Sequence, residues 1–365
     1  MIKVLVVDDS ALMRRRIAEI LMTAGFAVET VASGSDALAR LAVIDPDVVT
    51  LDVDMPGMDG LTCLRRIMIE HPKPVVMVSA LAAEGAEVTL EALRLGAVEA
   101  VQKPHGGGLR AVAAIADELV ETVRIAASSR PRRTPGLRER LRHTRTRIAG
   151  EDFVETTTDA PQAPDEDGSG FVLIGVSTGG PRTLEDILPD LPAAFPWPIL
   201  VVQHMPSTFT GSLARRLDEI CALRVVEVAT PMTTQPGTVY IARGGTDMVL
   251  TRRGAHRLVM PMPPAADIPW HPSVDRLVES ALRCAAPDRL VGVLLTGMGA
   301  DGAASMAQMH ERGSRVVAEA EESCVVFGMP QELIRRGGAD AVLPSDRIAA
   351  QLLRWVPVPD RRMRG

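Results

Sequence analysis

At 365 residues the chain is long enough for two or three domains whose cores need no disulfide or metal staples. Forty basic against 46 acidic residues leave a net charge of −6, and aromatics make up 3%; a duplex-binding surface spread over the whole molecule and a base-stacking platform are both disfavoured. Cys63, Cys221, Cys284 and Cys324 form no C-x-x-C pair, the apolar run 2–7 is too short for a signal peptide, and no stretch reaches the length of a membrane span, so a cytoplasmic protein with no membrane insertion and no nucleic-acid partner is expected.

In chain order, short apolar runs alternate with amphipathic stretches. Strands are expected at 2–7, 27–31, 47–51, 75–79 and 98–101, and helices at 11–23, 35–42, 60–69, 84–95 and 108–125. Five such β-α units predict a doubly wound parallel sheet. From about 126 to 170 the chain is polar: 130–147 is basic, and 151–170 is acidic and rich in Thr, Pro and Gly. Neither half has a periodicity that could bury a face, so a flexible linker is expected. Strands resume at 171–176, 199–203, 224–228, 238–242, 290–296, 315–318 and 341–343, with a hairpin at 248–250 and 258–260. The fold class is therefore α/β, with two doubly wound, mostly parallel sheet domains. The expected division is 1–122, a linker over 123–169, and a larger domain over 170–358.

Ligands of such sheets gather beyond the carboxyl ends of the strands. In the first domain those ends carry Asp8 and Asp9, Asp52, Ser79, and Lys103. Clustered carboxylates repel unless they surround a cation, and oxygen-only ligands at a site shared with phosphate suit Mg²⁺. Lys103 and the Ser79 hydroxyl then offer a charge and a donor to phosphoryl oxygens. Singly, each is ordinary, since a strand-end Asp is often a helix cap and Lys before Pro a surface residue.

Together, V-V-D-D-S (6–10), L-D-V-D-M-P-G-M-D-G-L (51–61), Ser79 and K-P (103–104) resemble the response-regulator receiver domain, a flavodoxin-like fold, through residue 122. The resemblance implies that Asp52 accepts a phosphoryl group from a histidine kinase. It also implies that Asp8 and Asp9, with Asp52, bind Mg²⁺, and that Ser79 and Lys103 contact the phosphoryl group. Receivers commonly carry an aromatic switch residue shortly before K-P. Here the stretch reads Glu99-Ala100-Val101-Gln102.

In the second domain, Gly175-Val176-Ser177-Thr178-Gly179 has the G-x-S-x-G spacing of a nucleophile elbow, where glycines allow a sharp turn that exposes the serine. A serine N-cap or a phosphate-binding turn reads the same five residues equally well. The next strand ends at His204, and a later one runs into Gly297-Met298-Gly299-Ala300-Asp301. A histidine and a carboxylate at nearby strand ends complete a nucleophile–base–orienter set, which is recognised by geometry and not by chain order. A rival reading takes Gly297, Gly299 and Gly302 as a dinucleotide fingerprint with Glu319 as its ribose carboxylate. It falls late in the domain and leaves Ser177 and His204 unexplained.

The motifs G-V-S-T-G-G (175–180), Q-H-M-P-x-x-F-T (203–210), L-L-T-G-M-G-x-D-G-A (294–303) and E-S-C-V-V-F-G-M-P (322–330) resemble the protein-glutamate methylesterases of bacterial chemotaxis over 171 to about 356. The resemblance implies a phosphorylation-activated serine hydrolase that demethylates glutamate methyl esters, and deamidates glutamines, on chemoreceptor helices. By it Ser177 is the nucleophile, His204 the base, Asp301 its orienting carboxylate, and Thr178 and the Met298 amide belong to the oxyanion and substrate site, with no cofactor in this domain. The sequence departs from the family at Arg243–Asp247, at His271 where arginine is common, and at Ala318–Glu322. The rival from another class is a signalling module whose second domain binds a partner without turnover; it has no use for Ser177, His204 and Asp301.

Overall fold

The computed structural model describes residues 1–79, 85–103, 109–129 and 170–358. Of the expected linker over 123–169, residues 130–169 lie outside the described residues.

The first domain runs β1 (Lys3–Val7), α1 (Ala11–Thr23), β2 (Ala27–Val31), α2 (Gly34–Ile44), β3 (Val48–Asp52), α3 (Gly60–Glu70), β4 (Val75–Ser79), α4 (Gly85–Leu95), β5 (Glu99–Gln102) and α5 (Leu109–Ser128). The sheet order is β2-β1-β3-β4-β5, with every pair parallel. A parallel sheet covered on both faces needs strands that are apolar throughout rather than alternating, and β1, β3 and β4 are buried almost end to end. Helices begin where polar caps follow the strands: the Ser10 side chain accepts from Met13 N, Ser33 from Asp36 N, and Asp59 from Thr62 N. The order reverses between β1 and β3, which sets Asp8 beside Asp52. The last helix continues to Ser128, beyond the expected boundary at 122.

The second domain comprises β6 (Phe171–Val176), α6 (Gly180–Ile187), β7 (Ile199–Gln203), α7 (Ser207–Ile220), β8 (Arg224–Val228), β9 (Met232–Thr233), β10 (Thr238–Ala242), β11 (Asp247–Arg253), β12 (His256–Met262), α8 (Val274–Cys284), β13 (Leu290–Leu294), α9 (Ala303–Glu311), β14 (Arg315–Glu319), α10 (Met329–Arg335), β15 (Ala341–Leu343) and α11 (Ser345–Trp355). Its seven-stranded sheet, β15-β14-β13-β6-β7-β10-β8, is parallel at every pair. The chain starts in the middle at β6, builds outward through β7, then returns to the other side of β6 at β13. That reversal opens a crevice above the ends of β6 and β13. The hairpin β11–β12 gains a third strand, β9, which is two residues long and carries no readable periodicity.

The two domains touch through α4, which packs against α6 and α7. Glu91 and Arg94 there face Glu185 and Arg216 across a small polar pocket. This contact turns β5 and α5 toward the crevice of the second sheet.

Candidate active site and phosphoacceptor pocket

In the first domain, Asp8 and Asp52 are buried and Asp9 is exposed, and one oxygen from each lies within 4.8 Å of the others. Lys103 Nζ sits 2.6 Å from Asp52 Oδ2 and 3.1 Å from Asp8 Oδ2. Burial opposes the Lys103 charge, but the two carboxylates outweigh it and hold the ammonium protonated above its ordinary range. Burial, together with the Asp8 charge, pushes the Asp52 carboxyl up against the pull of Lys103. Ser79 closes β4, and its carbonyl accepts from Lys103 N at 2.8 Å. Asp8, Asp9, Asp52 and Lys103 thus meet in one pocket, and Ser79 is tied to it through the Lys103 backbone. Three oxygen donors at this spacing suit a hard divalent cation.

In the second domain the strand ends are tied together before any catalytic side chain is considered. Ser177 N donates to Thr296 O (2.9 Å), and His204 N donates to Val176 O (3.0 Å). The Gln203 side-chain amide then donates to both Ser177 O (3.0 Å) and His204 O (3.1 Å). Thr296 acts as a second clasp: its hydroxyl donates to Thr178 O (3.0 Å) and accepts from Val325 N and Val326 N, both at 3.0 Å. Glycine is required at 297, because a Cβ there would lie 2.6 Å from Ser177 Cβ. Gly179, at φ +81°, gives Ser177-Thr178 its tight turn into α6.

His204 Nε2 lies 2.8 Å from Asp301 Oδ2. Asp301 is held in place by Ser273 Oγ (3.1 Å), Val274 N (2.7 Å) and Asp275 N (3.1 Å), the first amides of α8 among them. Burial pushes the Asp301 carboxyl up, but His204 and those amides outweigh it and keep the carboxyl below its ordinary range. Nε2 therefore carries the proton shared with Asp301. Nδ1 is buried and has no hydrogen-bond partner, Ser177 included.

Ser177, Thr178, His204 and Met298 line a cleft of about 680 Å³ with Met205, Phe209 and Trp270. The opposite wall belongs to the first domain: Leu93, Glu99, Ala100, Glu118 and Thr122. Burial pushes the half-buried Glu99 carboxyl up to about 7; bonds from Ala100 N and Thr178 oppose the shift and the nearby Glu118 adds to it.

The dinucleotide reading fails on geometry. Glu319 is fully buried at the end of β14, where its carboxylate accepts from Thr296 N (2.8 Å) and Ser323 Oγ (2.8 Å), so it is part of the clasp and not free for a ribose. Sequence reasoning missed Gln203, Thr296 and Ser273 as supports. The first two lie inside the quoted motifs without having been given a role, while Ser273 carried no signal beyond a helix-capping position.

Comparison with known proteins agrees with this arrangement. Residues 4–114 match the response regulator receiver domain family, and residues 172–352 match the CheB methylesterase family. A protein-glutamate methylesterase/protein-glutamine glutaminase of Rhodospirillum rubrum is 54% identical over 98% of this chain and 96% of its own. One from Rhodopseudomonas palustris is 47% identical over 97% of this chain and 98% of its own. The crystal structure of the Thermotoga maritima CheB methylesterase catalytic domain is 41% identical and covers 52% of this chain and 100% of that one, with a TM-score of 0.50. With a receiver sheet and a serine–histidine–aspartate crevice on one polypeptide, the chain belongs to the family of protein-glutamate methylesterases/protein-glutamine glutaminases that join a receiver to a CheB methylesterase domain.

Proposed function

We propose that the chain hydrolyses γ-glutamyl methyl esters on the cytoplasmic helices of chemoreceptors, and glutamine amides at the same site, under control of phosphorylation at Asp52. The observation that carries the reading is the His204 ring: Nε2 is bonded to Asp301, and Nδ1 is left free in the cleft that Ser177 lines.

Ser177 Oγ attacks the ester carbonyl carbon while its proton passes to His204 Nδ1. The imidazolium so formed is stabilised by the Asp301 carboxylate on its other nitrogen. Negative charge on the carbonyl oxygen faces the amide of Met298, with Thr178 beside it; donors preorganised in this way are worth about 3–4 kcal/mol of transition-state stabilisation. His204 returns the proton to the departing methoxide, so methanol leaves and an acyl-serine remains. Water then repeats the sequence and releases glutamate.

In the receiver, Asp8, Asp9 and Asp52 would hold Mg²⁺, which when bound neutralises charge around an incoming phosphoryl group. Asp52 accepts that group from a histidine kinase, and Lys103 and Ser79 contact its oxygens. A phosphorylated Asp52 no longer pairs with Lys103 as it does now, and the altered strand ends bear on α4 and β5, the elements that meet the second domain. The first domain is then a lid over the cleft, and phosphorylation loosens it. No helix among the described residues is long and apolar enough to cross a membrane. Receptor membranes carrying labelled methyl groups test the proposal: labelled methanol should appear, and faster with a small phosphodonor. Absence of release under both conditions refutes it.

A further inference from the structure

Trp270, in the segment between β12 and α8, is 39% exposed, unusual for so large an apolar side chain in this protein. It nevertheless has a definite partner. Its ring lies parallel to that of His204, with centroids 5.4 Å apart and planes 8° apart. Its Cζ2 is also 3.8 Å from where a Cβ on Gly299 would stand, so the indole backs onto the loop that carries Met298 and Asp301.

The backbone that presents it is pinned from beneath by Asp247, which is completely buried. Asp247 Oδ1 lies 3.1 Å from His271 Nδ1 and accepts from Ser273 N at 2.9 Å, and Oδ2 accepts from Arg276 at 2.8 Å. The same segment supplies Ser273 Oγ and Val274 N to Asp301. The departure at His271 is thus met by a local partner, and one anchored segment reaches both Asp301 and the face of His204.

We propose that Trp270 is a positioning residue for the hydrolysis, its indole face holding the His204 ring with Nε2 toward Asp301 and Nδ1 toward Ser177, and its π-electrons stabilising the imidazolium. The inference rests on the triad reading above. An imidazole held at one nitrogen can still tilt about that bond, and a parallel ring at stacking distance removes this freedom. A cation over an indole face is attracted more strongly than a neutral ring. The benefit therefore grows as the proton is transferred, which is the condition for speeding the reaction and not merely binding.

The test uses the full chain treated with a phosphodonor and follows methanol release from pH 5 to 9 in Trp270→Leu and Trp270→Phe. The other titratable groups around the site are Asp301, Asp275 beside it, His271, and from the receiver Glu99, Glu118 and Glu121 on the cleft wall; all are retained in these variants. Trp270→Leu should lower kcat by roughly three- to twentyfold with a smaller change in KM. It should also move the acid limb of the kcat/KM profile down by about half to one pH unit. Trp270→Phe, which keeps an aromatic face, should recover most of both. An unchanged kcat in Trp270→Leu, or a loss of rate with the acid limb unmoved or shifted upward, overturns the proposal, since leucine would then fill the role as packing alone. Ser177→Ala run in parallel separates the two readings. If it keeps its activity the triad itself fails, and if it is inactive while Trp270→Leu behaves as wild type, the Trp270 assignment alone falls.

Discussion

We predict, on the lid reading proposed above, that Glu99 makes the contact between lid and cleft sensitive to pH. In the structure its carboxyl, on the wall of the cleft beside Thr178, is pushed up to about 7 by burial, from an ordinary 4.5. When the lid lifts, water reaches the carboxyl and the ordinary value returns. At full burial that difference is worth roughly 3 kcal/mol; the cleft is open on one side, and solvent screening reduces it to roughly 1–2 kcal/mol. The group is raised in the closed form, so closure is favoured below about 4.5, and the advantage is lost as pH rises through about 7. The assay is the ratio of methanol release by the unphosphorylated chain to that by the phosphodonor-treated chain, a quotient from which the protonation of the catalytic residues cancels. Between pH 5 and pH 8 the ratio should climb by roughly two- to eightfold. In Glu99→Gln, whose side chain stays neutral, it should remain low throughout. A flat ratio in the wild type, or the same climb in Glu99→Gln, would refute the reasoning.

Asp52→Ala should abolish incorporation of phosphate from small phosphodonors, and excess chelator should do the same to the wild type; radiolabelling or intact mass reads both. Asp301→Asn keeps the shape of the site but loses the charge that stabilises imidazolium, so kcat for methanol release should fall by roughly a hundredfold or more with a smaller effect on KM. Thr296→Val leaves the half-buried amides of Val325 and Val326 without their acceptor, and urea unfolding monitored on the second domain should show a loss of about 1–3 kcal/mol. A loss below about 0.5 kcal/mol would mean that Thr296 is not the clasp described here.

Much of this architecture can be read along the chain because parallel strands buried on both faces appear as unbroken apolar runs. Phe171–Val176 and Ile199–Gln203 fall where those runs predict, and polar residues that end such runs, from Asp8 to Asp301, collect in two pockets. The strand β9 escaped notice because Met232–Thr233 is too short to show a period. What a linear reading lacks is contact between distant segments. Nothing adjacent to Trp270 announces that it covers His204, 66 residues earlier by the numbering. Nothing near Glu99 announces that a wall of the catalytic cleft lies in the other domain. The glycine fingerprint at 297–302 shows the converse: its spacing satisfies a nucleotide motif, yet Gly297 is small because Ser177 crowds it and Glu319 is consumed by Thr296.

The central claim is that Ser177 and His204 act as one catalytic unit on receptor methyl esters. Methanol release by the phosphodonor-treated chain should be measured for Ser177→Ala, His204→Ala and the double variant, with folding checked by circular dichroism. Each single substitution should reduce the rate by orders of magnitude, and the double variant should be scarcely slower than either. Losses that multiply in the double variant, or a Ser177→Ala protein that still releases methanol at a rate near the wild type, would contradict the account.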